Sequence, residues 1–471
     1  MILSDKKDNI KNFSDSQADK RDKWIKKNNY YYKDLIKFLK FNIKENSKIL
    51  EIGSGTGYLL NALSPSLGVG IDISENMISK AKDNYPNLQF FEMDGENLEI
   101  NDKFDYVIIS DTIGYFEDIQ KVFNEIKKCI TNDTRIIITY QNIMLQPFFS
   151  LAELLHLKMP SNKINWLDID DISNLLELSD FSIIKKGKRF LFPFFIPIIS
   201  WFFNKYLTYL PIINKFSLYS FIIAKRQIER EEYSVSVVIP ARNEKGNIEE
   251  AVRRVPKMGR GTEIIFVEGN STDDTYNEIK RVYEKYKDTI DIKYVKQDGK
   301  GKGDAVRKGF SIAKGDIFMI LDADLTVKPE DLPKFYDAIS RGKGEYINGT
   351  RLVYPLEKES MRFLNVLGNK FFSMVFSWLL DQRLKDTLCG TKVISKKNWQ
   401  KILENRSYFG DFDPFGDFDL IFGSAKLNLK IAEVPIRYQA RSYGETNISR
   451  FRHGFLLLKM VIFAMNKIKF I

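Results

Sequence analysis

The feature that most constrains the fold is the stretch at residues 315–327, GDIFMILDADLTV. The apolar run at 317–321, bounded by polar residues, has the signature of a strand covered on both faces. Such a strand belongs to a sheet with helices on either side, and here it stops at Asp322-Ala323-Asp324. In open α/β sheets the carboxyl ends of the strands face the ligand crevice. Asp322 and Asp324 are two residues apart, so on a regular strand their side chains share a face. Two adjacent carboxylates repel unless something positive joins them, and a hard divalent cation carrying a diphosphate is a natural third party. A solvated acidic turn spells the same three letters, so the neighbouring motifs decide between the two.

The chain of 471 residues exceeds a typical single domain, and two or three are expected. A charged bridge, KRQIEREEYS at 225–234, marks the boundary and divides the chain into 1–228 and 229–471. Net charge is +10, but the lysines are interspersed with Asp and Glu and no nucleic-acid motif accompanies them. A solvated basic surface is therefore expected, with attraction to anionic membrane as the sharper reading and no nucleic-acid partner. Cys129 and Cys389 lie far apart in apolar surroundings, which suits buried free thiols in a reducing compartment. The opening residues, MILSDKKDNIKNFSDSQADKRDKW, contain no apolar core of a secretory signal. A cytoplasmic protein is expected, with peripheral contact to the inner face of the plasma membrane as the further option.

In the first half, residues 30–41 carry a helical pattern, and the strand Lys48–Ile52 runs into Gly53, Gly55 and Gly57. Glycines are needed where backbone turns sharply and approaches a ligand closely. A second strand, LGVGID, ends at Asp72, about twenty residues after the first glycine, where an acid can reach ribose hydroxyls. Further strands end at Asp94 and Asp111, and RIIITY makes a fifth. The pattern is E-x-G-x-G-x-G from Glu51, not the G-x-G-x-x-G of a dinucleotide site. On these motifs the stretch from about residue 20 to about 225 resembles a class I S-adenosylmethionine-dependent methyltransferase, with a Rossmann-like sheet. The resemblance implies that residues 53–57, including Ser54, wrap the amino-acid part of S-adenosylmethionine. It implies that Asp72 binds the ribose, that Asp94 faces the adenine amino group and that Asp111 lies beside the methyl-transfer cleft. Glu51, Ile73 and Gly95 complete the implied cofactor set. A non-catalytic module that docks or senses cofactor is the alternative.

An aromatic-rich insertion follows near 190–216. Its uninterrupted apolar run at 191–203 is shorter than the ~20 residues that span a bilayer. Two readings stay open, a lid packed against the sheet and an interfacial membrane patch.

The second half alternates strands and helices, which predicts a largely parallel sheet. VSVVIPARNE and EIIFVEGNSTDDT are strands with polar ends, and the loop in QDGKGKGDAVRKGF can bring amides and ammonium groups to phosphate oxygens. With INGTRLV, DTLCGTKVIS, FGDFDL and EVPIRYQARSYGETNISR, these segments resemble glycosyltransferase family 2. The resemblance is to the inverting GT-A fold, which is Rossmann-like, in its dolichyl-phosphate-mannose-synthase-like branch. It implies a nucleotide pocket lined by Pro240, Arg242, Glu244 and Glu268, with Lys302 and Asp304 near the diphosphate. Asp322, Ala323 and Asp324 would face the donor, with Asp322 and Asp324 holding Mg²⁺ or Mn²⁺. Arg351 and Arg441 would face the acceptor or the phosphates. Asp417 is the implied general base, with Asp419 second. Glu268-Gly269 stands where the branch has an acid pair, and Thr326 where it often has a further polar metal contact. Two apolar stretches, 363–380 and 454–471, suit either core packing or a bilayer interface.

The implied protein is a bifunctional enzyme. It pairs metal-dependent inverting transfer from a nucleotide-sugar donor to a glycan or polyprenyl-linked acceptor with methylation from S-adenosylmethionine. A hydroxyl acceptor is favoured by the acids at 417 and 419. The alternative is a polyprenyl-phosphate glycosyltransferase whose first domain is non-catalytic.

Overall fold

The computed structural model describes every residue except 1, 163, 355–362, 409–417, 440, 442, 444–449 and 471. The chain forms two compact units, the first running to Gln227 and the second starting at Ile228.

The first unit contains β1 (Lys48–Ile52), β2 (Leu67–Asp72), β3 (Gln89–Glu92), β4 (Phe104–Ser110), β5 (Ile130–Gln141), β6 (Phe181–Arg189) and β7 (Tyr219–Arg226). They form one sheet in the order β3-β2-β1-β4-β5-β7-β6. β1 through β5 pair in parallel, while β7 runs antiparallel between β5 and β6. The strands are apolar on both faces because both faces are covered. Leu50, Ile52, Val107, Ile109, Ile136 and Ile138 point into one core, and Ile49, Ile108, Ile137 and Ile223 into the other. Alternation by two along each strand produces that division. Strand order reverses between β1 and β4, so the crevice opens over the loops that follow these strands.

The polar opening residues form a helix, Ile2–Lys27, where the sequence shows little amphipathic signal. Ile10, Ala18 and Ile25, spaced by eight and seven, are its buried stripe. The aromatic insertion is packed in part, burying Phe190, Thr208 and Tyr209. It forms a short helix, Ile199–Lys205, in which Ser200 is the buried residue, and leaves Phe195 70% and Ile198 79% exposed.

The second unit contains β8 (Ser234–Ala241), β9 (Gly261–Glu268), β10 (Asp291–Lys296), β11 (Ile317–Ile320), β12 (Tyr346–Thr350), β13 (Lys392–Ser395) and β14 (Ile431–Pro435). Their order is β10-β9-β8-β11-β13-β12-β14. β8 to β11 pair in parallel, as do β12 and β14, so the sheet is largely parallel as expected, with β13 alone running antiparallel, between β11 and β12. β11 is wholly buried in the middle of the sheet, and the order reverses beside it. The helices Phe363–Leu380 and Arg450–Ala464 each bury one face: Phe376, Leu379 and Leu380 on the first, Leu457, Met460 and Ala464 on the second. Leu367, Met374, Phe455 and Ile462 stay exposed. Among the described residues no helix is long and apolar enough to cross a membrane. Cys129 and Cys389 are both buried and free.

Candidate functional sites

In the first unit the chain leaves β1 through a turn in the left-handed region, with Gly53 at φ 79°. A Cβ there would lie 2.2 Å from Thr112 Oγ1, so both the dihedral and the space call for glycine. Asp72, at the end of β2, holds this turn. Its Oδ2 accepts from the Gly55 amide at 2.9 Å and its Oδ1 from the Ser74 amide at 3.0 Å. Burial raises its carboxyl above the usual range, against the lowering effect of these two amides. Asp111 follows β4 at φ 52°, an uncommon conformation for a residue with a side chain. Tyr31 donates its hydroxyl to Asp111 Oδ2 at 2.9 Å, while Oδ1 is buried without a hydrogen-bond partner among the described residues. Burial raises this carboxyl as well.

Gly53, Gly55, Asp72, Ile73, Asp94, Gly95 and Asp111 line one cavity. Glu51, Ser54 and Gly57 do not line it. Glu51 is 1% exposed, and burial pushes its carboxyl up to about 8.

The N-terminal helix supplies residues that no motif announced. Lys7 sits on Asp94 at 2.6 Å and on Glu96 at 2.8 Å, so Asp94, the implied adenine partner, is engaged by an ammonium group. Lys11 pairs with Glu92, Asp15 accepts from the Ser74 hydroxyl and Asp22 from the Thr56 hydroxyl. The helix is thus strapped along the ends of β1, β2 and β3. It also brings Arg21 into the cavity, where a Cβ on Gly55 would be 3.7 Å from the guanidinium Nε. Tyr32, and after it Asp111, hold Arg21 above its usual range against the cost of burial.

In the second unit, Asp322 and Asp324 lie on a turn past β11 rather than on a continuing strand, and Leu325 follows at φ 51°. The carboxylates nevertheless interact. Burial and then repulsion from Asp322 raise Asp324. Burial would also raise Asp322, but Lys302, Lys392 and Arg351 together bring it below the usual range. Each acid has a cation: Lys302 Nζ lies 2.6 Å from Asp322, and Arg441 lies 2.7 Å from Asp324. Arg441 also reaches Glu244 at 3.7 Å. Asp324 Oδ1 accepts from the Thr326 amide and hydroxyl at 3.1 and 2.8 Å. Gly390 packs directly on the Asp322 carboxylate, and a Cβ there would sit 1.7 Å from Oδ2.

The ends of β8 and β9 frame the other wall. Pro240 is half-buried near the end of β8, Arg242 is exposed, and Glu244 accepts from Asn247 Nδ2 at 2.8 Å. Burial pushes Glu244 up to about 7. Glu268 ends β9 and accepts from the Ser271 amide at 2.6 Å. Asp304 is turned inward to its own loop, accepting from the Gly299 amide at 2.7 Å.

Two of the implied residues are held in ion pairs. The first is Arg351. Its Nε and Nη2 form a two-bond fork with Asp386 at 2.7 and 2.8 Å. Asp386 is 0% exposed, and a fully desolvated carboxylate claims the nearest fork-shaped cation. The second is Asp419, in the first turn of the helix Phe418–Lys426, which pairs with Arg406 at 3.3 Å and Arg307 at 3.5 Å. Asp417 lies outside the described residues.

Comparison with known proteins finds two families in the chain. The model of the glycosyl transferase family 2 matches residues 236–393, and that of a methyltransferase domain matches residues 24–186. The dolichol-phosphate mannosyltransferase of Saccharomyces cerevisiae is 36% identical over 228 residues, covering 45% of this chain and 80% of that protein. The enzyme of the same name from Pyrococcus furiosus is 31% identical over 237 residues, 48% of this chain, which spans 64% of the archaeal protein's length. An S-adenosylmethionine-dependent methyltransferase of known structure from Thermotoga maritima aligns with a TM-score of 0.36 at 15% identity, covering 46% of this chain and 99% of that one. The chain therefore belongs to glycosyltransferase family 2, in its dolichyl-phosphate-mannose-synthase-like branch, and carries a methyltransferase domain ahead of the glycosyltransferase domain.

Proposed function

We propose that the second unit transfers a sugar, with inversion, from a nucleotide-sugar donor to a lipid phosphate, and that the first unit is a working methyltransferase. The observation that carries the first part is the pair of carboxylates at the end of β11, each balanced by one cation, Lys302 or Arg441. The donor set suits a hard divalent ion. Among the described residues no group of three or more metal-ligating side chains exists, so diphosphate oxygens would complete the coordination. Mg²⁺ and Mn²⁺ sites next to phosphates are commonly built this way. When bound, the ion supplies Lewis-acid neutralisation of the departing diphosphate. Lys302 and Arg441, already placed at the two carboxylates, then turn their charge to the phosphates. Lys302 first, then Lys392 and Arg351, keep Asp322 ionised, and Asp386 holds Arg351 in place.

A lipid phosphate is already anionic at neutral pH and needs no base, whereas a sugar hydroxyl needs one. Asp419 is committed to two arginines, and the two similar proteins named above are dolichol-phosphate mannosyltransferases. Both observations favour the phosphate over the hydroxyl acceptor. In the first unit, the turn at residues 53–57 and Asp72 would seat S-adenosylmethionine. The cofactor supplies an electrophilic methyl group, and Asp111 with Tyr31 orients the acceptor beside it.

The test is release of nucleoside diphosphate from a panel of nucleotide sugars with Mn²⁺ and dolichyl phosphate. Asp417→Asn, assayed with donor and a cell-derived acceptor fraction, should keep near-normal turnover. A loss of two orders of magnitude or more with donor binding retained would return the reading to a hydroxyl acceptor and a base at Asp417.

A further inference from the structure

The cavity that contains Gly53, Asp72 and Asp111 extends well beyond what a cofactor fills. Its volume is about 1840 Å³, whereas small-molecule sites typically measure ~300–1,000 Å³. The surplus is apolar. The helix Gln146–Leu154 has no buried residue at all, and its Phe148 and Leu151 line the cavity while 69% and 52% exposed. The aromatic insertion contributes Phe194, Phe195, Ile198 and Trp201, each more than half exposed. Apolar surface left in water forfeits about 25 cal/mol per Å², so contiguous patches of this kind mark a surface that something covers.

The same cavity gathers cations. Lys37 and Lys205 both line it. Asp34, which also lines the cavity and attracts Lys37, is already engaged by Arg189 through bonds of 2.9 and 3.0 Å. Burial, then Arg189, depresses the Lys37 ammonium below its usual range, Asp34 opposes this, and Lys205 depresses it further. Lys205 Nζ stands 5.5 Å above the Trp201 ring, at the aromatic end of the cavity. An anion placed there would relieve the mutual repulsion of these cations. An anionic group and a long apolar body in one occupant describe an amphipathic lipid.

We propose that this cavity binds, beside the cofactor turn, a single lipid with a hydrocarbon chain and an anionic head group. The chain lies on Phe148, Leu151, Phe194, Phe195 and Trp201, and the head group meets Lys37 and Lys205. The role of this lipid as methyl acceptor rests on the methyltransferase reading above; the binding site itself does not.

The probe is farnesyl phosphate, kept below its micelle concentration and titrated calorimetrically into the full-length protein with S-adenosylhomocysteine present. On the acceptor reading above the second unit would bind the same probe, so the readout is the difference between wild type and the double variant Phe148→Ser, Phe195→Ser. Both side chains are largely exposed, so the variant should fold. It should lose at least tenfold in affinity for the cavity component while S-adenosylhomocysteine binds as before. Inorganic phosphate and farnesol should each bind at least tenfold more weakly than farnesyl phosphate. Identical farnesyl phosphate isotherms for wild type and variant would overturn the proposal, as would binding of phosphate alone or of bulk lipid vesicles only. If wild type fails to bind S-adenosylhomocysteine yet the variant weakens farnesyl phosphate, the lipid site stands and the methyltransferase reading falls.

Discussion

Gly390→Ala isolates the geometry of the carboxylate pair. An ideal Cβ at this position lies 1.7 Å from Asp322 Oδ2 and 2.5 Å from its Cγ. Ordinary carbon–oxygen contacts begin near 3.3 Å, so the carboxylate must retreat by about 1.6 Å. The atom in the way is the end of a side chain, not backbone, and Gly390 does not occupy the left-handed region, so the fold should survive. The retreat breaks the 2.6 Å pair with Lys302 and moves Asp322 away from Asp324. A displacement of ~1 Å in a catalytic constellation can cost on the order of 10²-fold, about 2.7 kcal/mol in the barrier. Nucleoside diphosphate release should therefore fall by that factor or more, while urea unfolding stays close to wild type. Transfer within threefold of wild type would refute the idea that Asp322 works from its observed position. A loss matched by unfolding would refute the claim that the effect is local.

Asp72→Asn should raise the dissociation constant of S-adenosylhomocysteine on calorimetry. The carboxylate holds both the Gly55 and Ser74 amides, and a hydrogen bond to a charged group contributes roughly 1.5–3 kcal/mol, or ~10–100-fold; unchanged affinity would mean that the turn holds itself. Glu51 titrates at about 8 in the folded protein, above the ordinary carboxyl value of 4.5, because burial disfavours its ionised form. The folded state thus binds more protons than the unfolded one between these values, so the stability associated with Glu51 is complete below pH 4.5 and is lost as pH rises toward 8. Thermal melts of Glu51→Gln should decline less over that interval than those of wild type, and parallel curves would count against the buried ionisation. Arg351→Met leaves the Asp386 carboxylate buried and unpaired, which should destabilise the second unit by about 3–5 kcal/mol in denaturant unfolding; a shift under 1 kcal/mol would show that water replaces the guanidinium.

Much of the fold is legible in the letters. Strands such as Lys48–Ile52 and Leu67–Asp72 carry apolar runs that end in glycine or acid, and the structure starts and stops them at the same residues. The aromatic insertion was ambiguous because hydrophobicity does not say whether a surface is covered; Phe195 and Ile198 turn out to be exposed. The helix Ile2–Lys27 was missed for the opposite reason. Its buried residues, Ile10, Ala18 and Ile25, are too few to raise an apolar period above the background of charges. Its attachment is polar, through Lys7, Asp15 and Asp22, and polar side chains choose partners only after the strands are in place.

The sequence by itself determined the two α/β units, the glycine turn after β1 and the acids after β11, because these depend on local periodicity and on backbone that only certain residues permit. Tertiary structure alone decided which charges meet. Arg351 paired with Asp386, Asp419 with Arg307 and Arg406, and Lys7 with Asp94. Gly390 became indispensable to Asp322 although they lie far apart in the chain. Ion pairing and close approach depend on distances in space and on how far each group is desolvated, and neither quantity exists until the sheets have assembled.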